Sequence, residues 1–116
     1  MTDKPHLDEE ALAELQDVME DEFDVLIQTY LADSRTRLDS LRHALETEDA
    51  EAFAKSAHSF KGSCVNIGAP YLGALCMEAE QLGKAGSLEQ ASAVVKAIEV
   101  EFSEVSVRLK GFGESP

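Results

Sequence analysis

The stretch AHSFKGSCVNIGAP, residues 57 to 70, sets His58 three residues before Lys61 and follows the lysine with Gly62, Ser63 and Cys64. Near neutral pH an imidazole serves as nucleophile, proton carrier or metal ligand, and an ammonium one helical turn away offers a charge to an anion. Residue type and spacing leave three readings of His58 open. It is a packed core histidine, a ligand in a metal site shared with Cys64 or Cys76, or a reactive group on a surface prepared for it.

The metal reading lacks ligand spacing. The chain has no CxxC pair and no second close pair to join His58, so no metal site is expected and both cysteines read as reduced, packed thiols. A Ser-His-Asp arrangement has no support, because Ser59 and Ser63 fall on other sides of a helix from His58. An ATP-binding loop is missing too: Gly83-Lys84 has no Ser or Thr after the lysine, and Glu78 stands where the upstream glycine belongs. Self-phosphorylation from ATP is therefore not expected.

The elements that must position His58 follow from apolar periodicity. Asp8 is a plausible N-cap for a short helix to about Glu20, with Leu12, Leu15 and Met19 inward. A second helix reads from about Glu22 to Glu46, with Phe23, Ile27, Leu31, Leu38, Leu41 and Leu45 at three-four spacing and Ser34 in the one gap. Thr47 or Asp49 can cap a third, from about Ala50 to Ile67, which Gly68 ends. Pro70 suits the first turn of a fourth, to about Lys84, with Leu72, Leu75, Ala79 and Leu82 inward and the run Gly83 to Gly86 as its break. Ser87 and Gln90 form a capping box for the last helix, whose seam is Leu88, Ala91, Val95, Ile98, Phe102, Val105 and Leu109. The expected fold is all-α: an antiparallel four-helix bundle with a short additional N-terminal helix. Residues 1–7 read as a flexible tail, 8–112 as a single domain and 113–116 as a C-terminal tail.

Composition agrees and narrows the partners. The chain has 116 residues, 44% of them hydrophobic, with three prolines and no tryptophan, which suits helices better than a β-sandwich. Its net charge of −13 repels phosphate backbones and anionic lipid, so neither nucleic acid nor a membrane surface is an expected partner. No apolar run nears the roughly 20 residues that span a bilayer, and MTDKPHLDEE lacks a signal peptide's apolar core. A cytoplasmic setting is expected.

Helical phase decides which way His58 points. At about 100° per residue, Phe53, Ala57, Phe60, Cys64 and Ile67 share one face, and His58 lies about 140° from it with Gly62 near 180° and Lys61 near 80°. That removes the core reading. An outward histidine is ordinarily a solvated side chain, and His6 and His43 are read so. Around His58 the residues differ: glycine inside a helix costs about 1 kcal/mol relative to alanine, and Ala54, Ser59 and Ser63 are small. From Ala52 to Met77 there is no Asp or Glu, only Lys55 and Lys61. Such a patch is expected to keep the histidine out of an ion pair and to tolerate a phosphoryl group with close to two negative charges. Small neutral residues would also serve simply to let helices pack.

His58-Ser-Phe-Lys61-Gly62-Ser63-Cys64, with Asn66-Ile-Gly68-Ala69 after it, resembles the signature of histidine-containing phosphotransfer domains. The similarity continues through Leu72 to Glu80, the Gly83 to Gly86 break, and the second helix from Tyr30 to Leu41; Phe60 stands where leucine is commoner. The chain looks like a stand-alone bacterial member of that family. The resemblance implies a phosphorelay intermediate rather than an enzyme. His58 would accept a phosphoryl group from the receiver-domain aspartyl phosphate of a hybrid sensor kinase and pass it to the receiver aspartate of a response regulator. Free imidazole is largely neutral near pH 7, so the nucleophilic form is available. By the same analogy Lys61 would offset phosphoryl charge, and Gly62, Ser63, Ala54, Lys55, Ser59 and Val65 would form the receiver-docking surface. No cofactor would be bound by this chain, Mg²⁺ being supplied in the partner receiver, and a monomer suffices. The rival from another class is a helical adaptor that binds a receiver without carrying phosphate.

Overall fold

The computed structural model describes residues 4–113 and arranges them as five helices, with no strand among the described residues. They are α1 (Glu9–Met19), α2 (Glu22–Glu46), α3 (Ala50–Ile67), α4 (Pro70–Lys84) and α5 (Leu88–Gly113). Local chemistry sets their ends. The Asp8 carboxylate accepts from the Ala11 N–H at 3.1 Å, and that of Asp49 accepts from the Ala52 N–H at 3.0 Å, so each satisfies an amide the helix leaves free. Gly68 closes α3 at φ +84°, a left-handed turn that costs glycine nothing, and its N–H reaches back to the Cys64 carbonyl. Pro70 then opens α4, where its missing N–H does no harm.

Helices α2, α3, α4 and α5 pack in a ring, each against two others, while α1 lies against α2. Phe23 of α2 meets Phe112 of α5, and Phe60 of α3 meets Phe102 of α5 edge-on at 6.2 Å between ring centres. Phe53, Ala57, Phe60, Cys64 and Ile67 are all buried, as the phase of α3 requires, and so is the α5 seam from Ala91 to Leu109. Burying a side chain such as Phe60 stabilises the fold by roughly 1.5–3 kcal/mol. Leu15, Met19, Leu45, Leu75, Leu82 and Leu88 are only half-buried at the margins of this core.

The contact between α3 and α4 is the most extensive, and it is built from small residues. Leu72, Gly73, Cys76, Ala79 and Gly83 line the buried side of α4. At Gly83 a Cβ would lie 2.9 Å from the backbone nitrogen of Ala54, so α4 comes close only because that side chain is absent. Gly83 is therefore part of the helix crossing, and the break expected from residue 83 begins after Lys84, with Gly86 making the turn at φ +71°. Between α2 and α3 the Tyr30 hydroxyl lies 3.3 Å from the Cys64 sulfur. Burial pushes the Tyr30 phenol up, and the hydrogen bond with Cys64 followed by burial pushes the Cys76 thiol up, so both stay protonated. Both cysteines are free and buried.

Two expectations at the N-terminal end are corrected. Residues 5–7 do not form a loose tail: Leu7 is buried, the Pro5 carbonyl accepts from the Tyr71 N–H at 3.3 Å, and the Asp8 N–H donates to the Gly68 carbonyl at 2.8 Å. Nor is His6 merely solvated. Its Nδ1 lies 2.6 Å from Oε2 of the buried Glu101, a partner 95 residues away that no local pattern reveals. The tail expectations for residues 1–3 and 114–116 fall outside the described residues. Among the described residues no helix is long and apolar enough to cross a membrane.

Candidate functional site

His58 stands in the middle of α3 with 67% of its side chain exposed. The Ala54–Gly83 crossing lies one turn before it and brings the C-terminal turns of α4 alongside. Glu80, one turn before Gly83, is thereby turned onto the buried side of α4, where its side chain keeps only 7% exposure. His58 Nδ1 lies 2.9 Å from Glu80 Oε2, Lys61 Nζ donates to Oε1 at 3.1 Å, and Lys84 Nζ approaches Oε2 at 3.1 Å.

Burial alone would raise the Glu80 carboxyl, but hydrogen bonds from Lys61, Lys84 and His58 outweigh it and hold the group at about 2, below its ordinary 4.5. A carboxylate ionised at neutral pH has no proton to give, so Nδ1 of a neutral His58 carries the hydrogen and donates it. The lone pair is then on Nε2, the ring nitrogen left free of this contact. Two lysines against one carboxylate leave the surroundings of a neutral imidazole positive, on a chain whose net charge is −13.

The sequence window free of acids is therefore not an acid-free neighbourhood. Glu80 lies just beyond that window and folds back onto His58, which corrects the expectation of surroundings clear of acids: the histidine has a carboxylate partner 2.9 Å away. Lys61 is likewise not a free cation but is half-buried and bonded to Glu80. Glu80 and Lys84 were missed from sequence. The available signals were a lone acid on the buried stripe of α4, four residues after Cys76, and the Glu80–Lys84 spacing that permits a pair within one helix.

On the other flank of His58 a groove of about 510 Å³ runs between α2 and α3, lined by Tyr30, Asp33 and Arg37 on one wall and by Ser59, Gly62, Ser63 and Asn66 on the other. Arg37 Nε donates to Ser59 Oγ at 3.2 Å across it. Gly62 is exposed, and a Cβ there would meet nothing within 4 Å, so no packing demand explains the glycine. Ser63 is half-buried in the groove, and Val65 stands 65% exposed. Lys55 is exposed and pairs with Glu51 at 3.4 Å, and it makes no contact with the Glu80 cluster. Ala54 is half-buried against Gly83, so the helix crossing accounts for its small size. His43 is exposed, remote from this site in the last turn of α2. Among the described residues no three His, Cys, Asp or Glu side chains gather as metal ligands.

An exposed imidazole with Nδ1 anchored, Nε2 presented and net positive surroundings can accept a phosphoryl group at nitrogen. Comparison with known proteins bears on that chemistry. The model of the Hpt domain family matches residues 25–107. The crystal structure of histidine-containing phosphotransfer protein B (HptB) from Pseudomonas aeruginosa PAO1 aligns with a TM-score of 0.89 and 46% sequence identity, covering 92% of this chain and 93% of that one. Comparison with curated proteins gives no significant match. A family match over most of the chain and a structural match at that identity agree: the chain belongs to the Hpt domain family, the phosphocarriers that serve receiver domains in the phosphorelays of two-component signalling.

Proposed function

We propose that His58 is the phosphoryl acceptor of this chain, taking the group from the aspartyl phosphate of a hybrid sensor kinase's receiver domain and passing it to the receiver aspartate of a response regulator. The observation that carries this reading is the 2.9 Å contact from Nδ1 to the buried Glu80, which leaves Nε2 of an exposed imidazole as the nucleophile. The Nε2 lone pair attacks phosphorus, the P–O bond to the donor aspartate breaks, and the bonding pair leaves with the aspartate carboxylate. Catalysis on this side is positioning and charge stabilisation. Glu80 fixes the tautomer and supports the positive charge that the ring gains when Nε2 is phosphorylated. Lys61 offsets phosphoryl charge from one turn along the helix, and the Mg²⁺ of the reaction belongs to the receiver.

Gly62, Ser63 and Ser59 border the groove beside His58, and Val65 is exposed nearby, which supports their part in receiver docking. Ala54 and Lys55 take a lesser part, at the edge of that surface. The pairings of Phe23 with Phe112 and of Ala54 with Gly83 support an antiparallel four-helix bundle with a short N-terminal helix, forming one domain from Pro5 to Phe112. The protein acts as a cytoplasmic monomer and does not phosphorylate itself from ATP. The test is transfer of labelled phosphoryl from a phosphorylated receiver domain to the parent chain and to His58→Gln. Uptake by the parent alone, with receiver binding retained in the variant, is the expected result. Equal uptake by both would refute His58 as acceptor, and binding without uptake by either would favour the adaptor.

A further inference from the structure

One buried carboxylate beside the reactive imidazole is held by two lysines, where a single one would neutralise it. Lys61 is on Oε1, while Lys84 is on Oε2, the same oxygen that accepts from His58 Nδ1. Lys84 is the last residue of α4 and its side chain is 69% exposed, so it fills no space in the core. An oxygen shared between an ammonium and an imidazole N–H presents less charge to the imidazole than one serving it alone. With too little positive charge nearby, a buried carboxylate draws a second proton onto its histidine partner, and an imidazolium has no lone pair at Nε2.

Resting on the reading of His58 as acceptor, we infer that Lys84 is a positioning residue: acting through Oε2 of Glu80, it keeps that carboxylate from trapping His58 as an imidazolium ion pair, so that Nε2 stays nucleophilic at neutral pH. The other charges facing His58 are few. On α2, Asp33 and Arg37 share the groove with it, and Arg37 is bonded to Ser59; on α3, Lys61 is bonded to Glu80 and Lys55 to Glu51. Helix α5 meets α3 through Phe102 on Phe60, on the core side away from the imidazole. None of these shares an oxygen with His58, and Lys84 does.

The test uses the full chain with Lys84→Gln and Lys84→Arg, and two readouts across pH 5 to 9. The first is the His58 ring signals by NMR. The second is phosphoryl uptake from a phosphorylated receiver domain. In Lys84→Gln the ring should titrate at higher pH than in the parent, with uptake slowed roughly threefold at pH 6.5 and nearly unchanged at pH 8.5, the charge effect being partly screened at this exposure. Lys84→Arg should restore both. In a Glu80→Gln background the same substitution should move the titration much less. An unmoved titration, a uniform slowing at all pH values, or an equal shift in both backgrounds would overturn the inference. If the parent accepts no phosphoryl group the acceptor reading fails, while the NMR titration still decides the role of Lys84.

Discussion

Gly83→Ala tests whether the closeness of α3 and α4 is what assembles the site. The added methyl would lie 2.9 Å from the Ala54 nitrogen and 3.0 Å from its Cα and Cβ, all at the edge of or inside any tolerable contact. The nearest of these atoms belong to the backbone of a packed helix, so no rotamer change relieves the clash. Ordinary carbon contacts need about half an ångström more, and α4 must back away by that much. Overpacking of this kind costs about 1–3 kcal/mol, and the better helix propensity of alanine returns about 1 kcal/mol. A net loss near 1 kcal/mol lowers the melting temperature of a domain this size by roughly 4 °C. The same movement stretches the 2.9 Å His58–Glu80 contact towards the limit of a hydrogen bond. Thermal unfolding followed by circular dichroism gives the first quantity, and ¹⁵N NMR of the imidazole gives the second, as a loss of the Nδ1–H tautomer signature. Gly62→Ala is the control, since a Cβ there meets nothing within 4 Å; it should gain up to about 1 kcal/mol from helix propensity and leave the His58 signals alone. If Gly83→Ala melts as high as the parent with its imidazole signals unchanged, the crossing does not hold the site together.

Two further outcomes follow from the charged groups. Glu80 titrates at about 2 in the fold against an ordinary 4.5, so folding favours its ionised form. That contribution is complete above about pH 5 and fades as pH falls towards 2. Glu80→Gln should accordingly melt below the parent at pH 7 and converge with it near pH 2, and parallel melting curves throughout would contradict a depressed carboxyl. His6→Ala strips the hydrogen-bond partner from Glu101, whose side chain is 5% exposed, and should cost about 1–3 kcal/mol in urea unfolding at pH 7. A cost below about 0.5 kcal/mol would mean the contact does not anchor the N-terminal segment.

Much of the framework was legible because each element announces itself locally. Asp8, Asp49, Gly68 and Pro70 mark helix ends through contacts within a turn, and three-four spacing exposes the core faces of α3 and α5. The outward direction of His58 followed from phase alone. What stayed hidden depends on how close two helices come. Gly83 reads equally well as a helix breaker or as a crossing point, and only the position of Ala54 beneath it decides. Once α4 is that close, Glu80 stops being one acid among 23 and becomes the partner of His58. The pairing of His6 with Glu101 was illegible for the same reason, since nothing near either residue in sequence anticipates the other.

The paired lysines on Glu80 give the site a charge that would be cancelled when it is used. Before transfer the cluster carries one surplus positive charge beside a neutral imidazole, an attractive spot on an otherwise acidic molecule. If His58 takes the phosphoryl group, its oxygens bring close to two negative charges while the ring, keeping its Nδ1–H, gains one positive charge, so the surplus is cancelled. A receiver domain drawn by that surplus would then face a spot that no longer attracts it. Delivery would thus carry its own release step, read as a faster, salt-sensitive dissociation of an unphosphorylated receiver from the phosphorylated chain than from the unmodified one. Equal dissociation rates would show that the cancellation has no bearing on release.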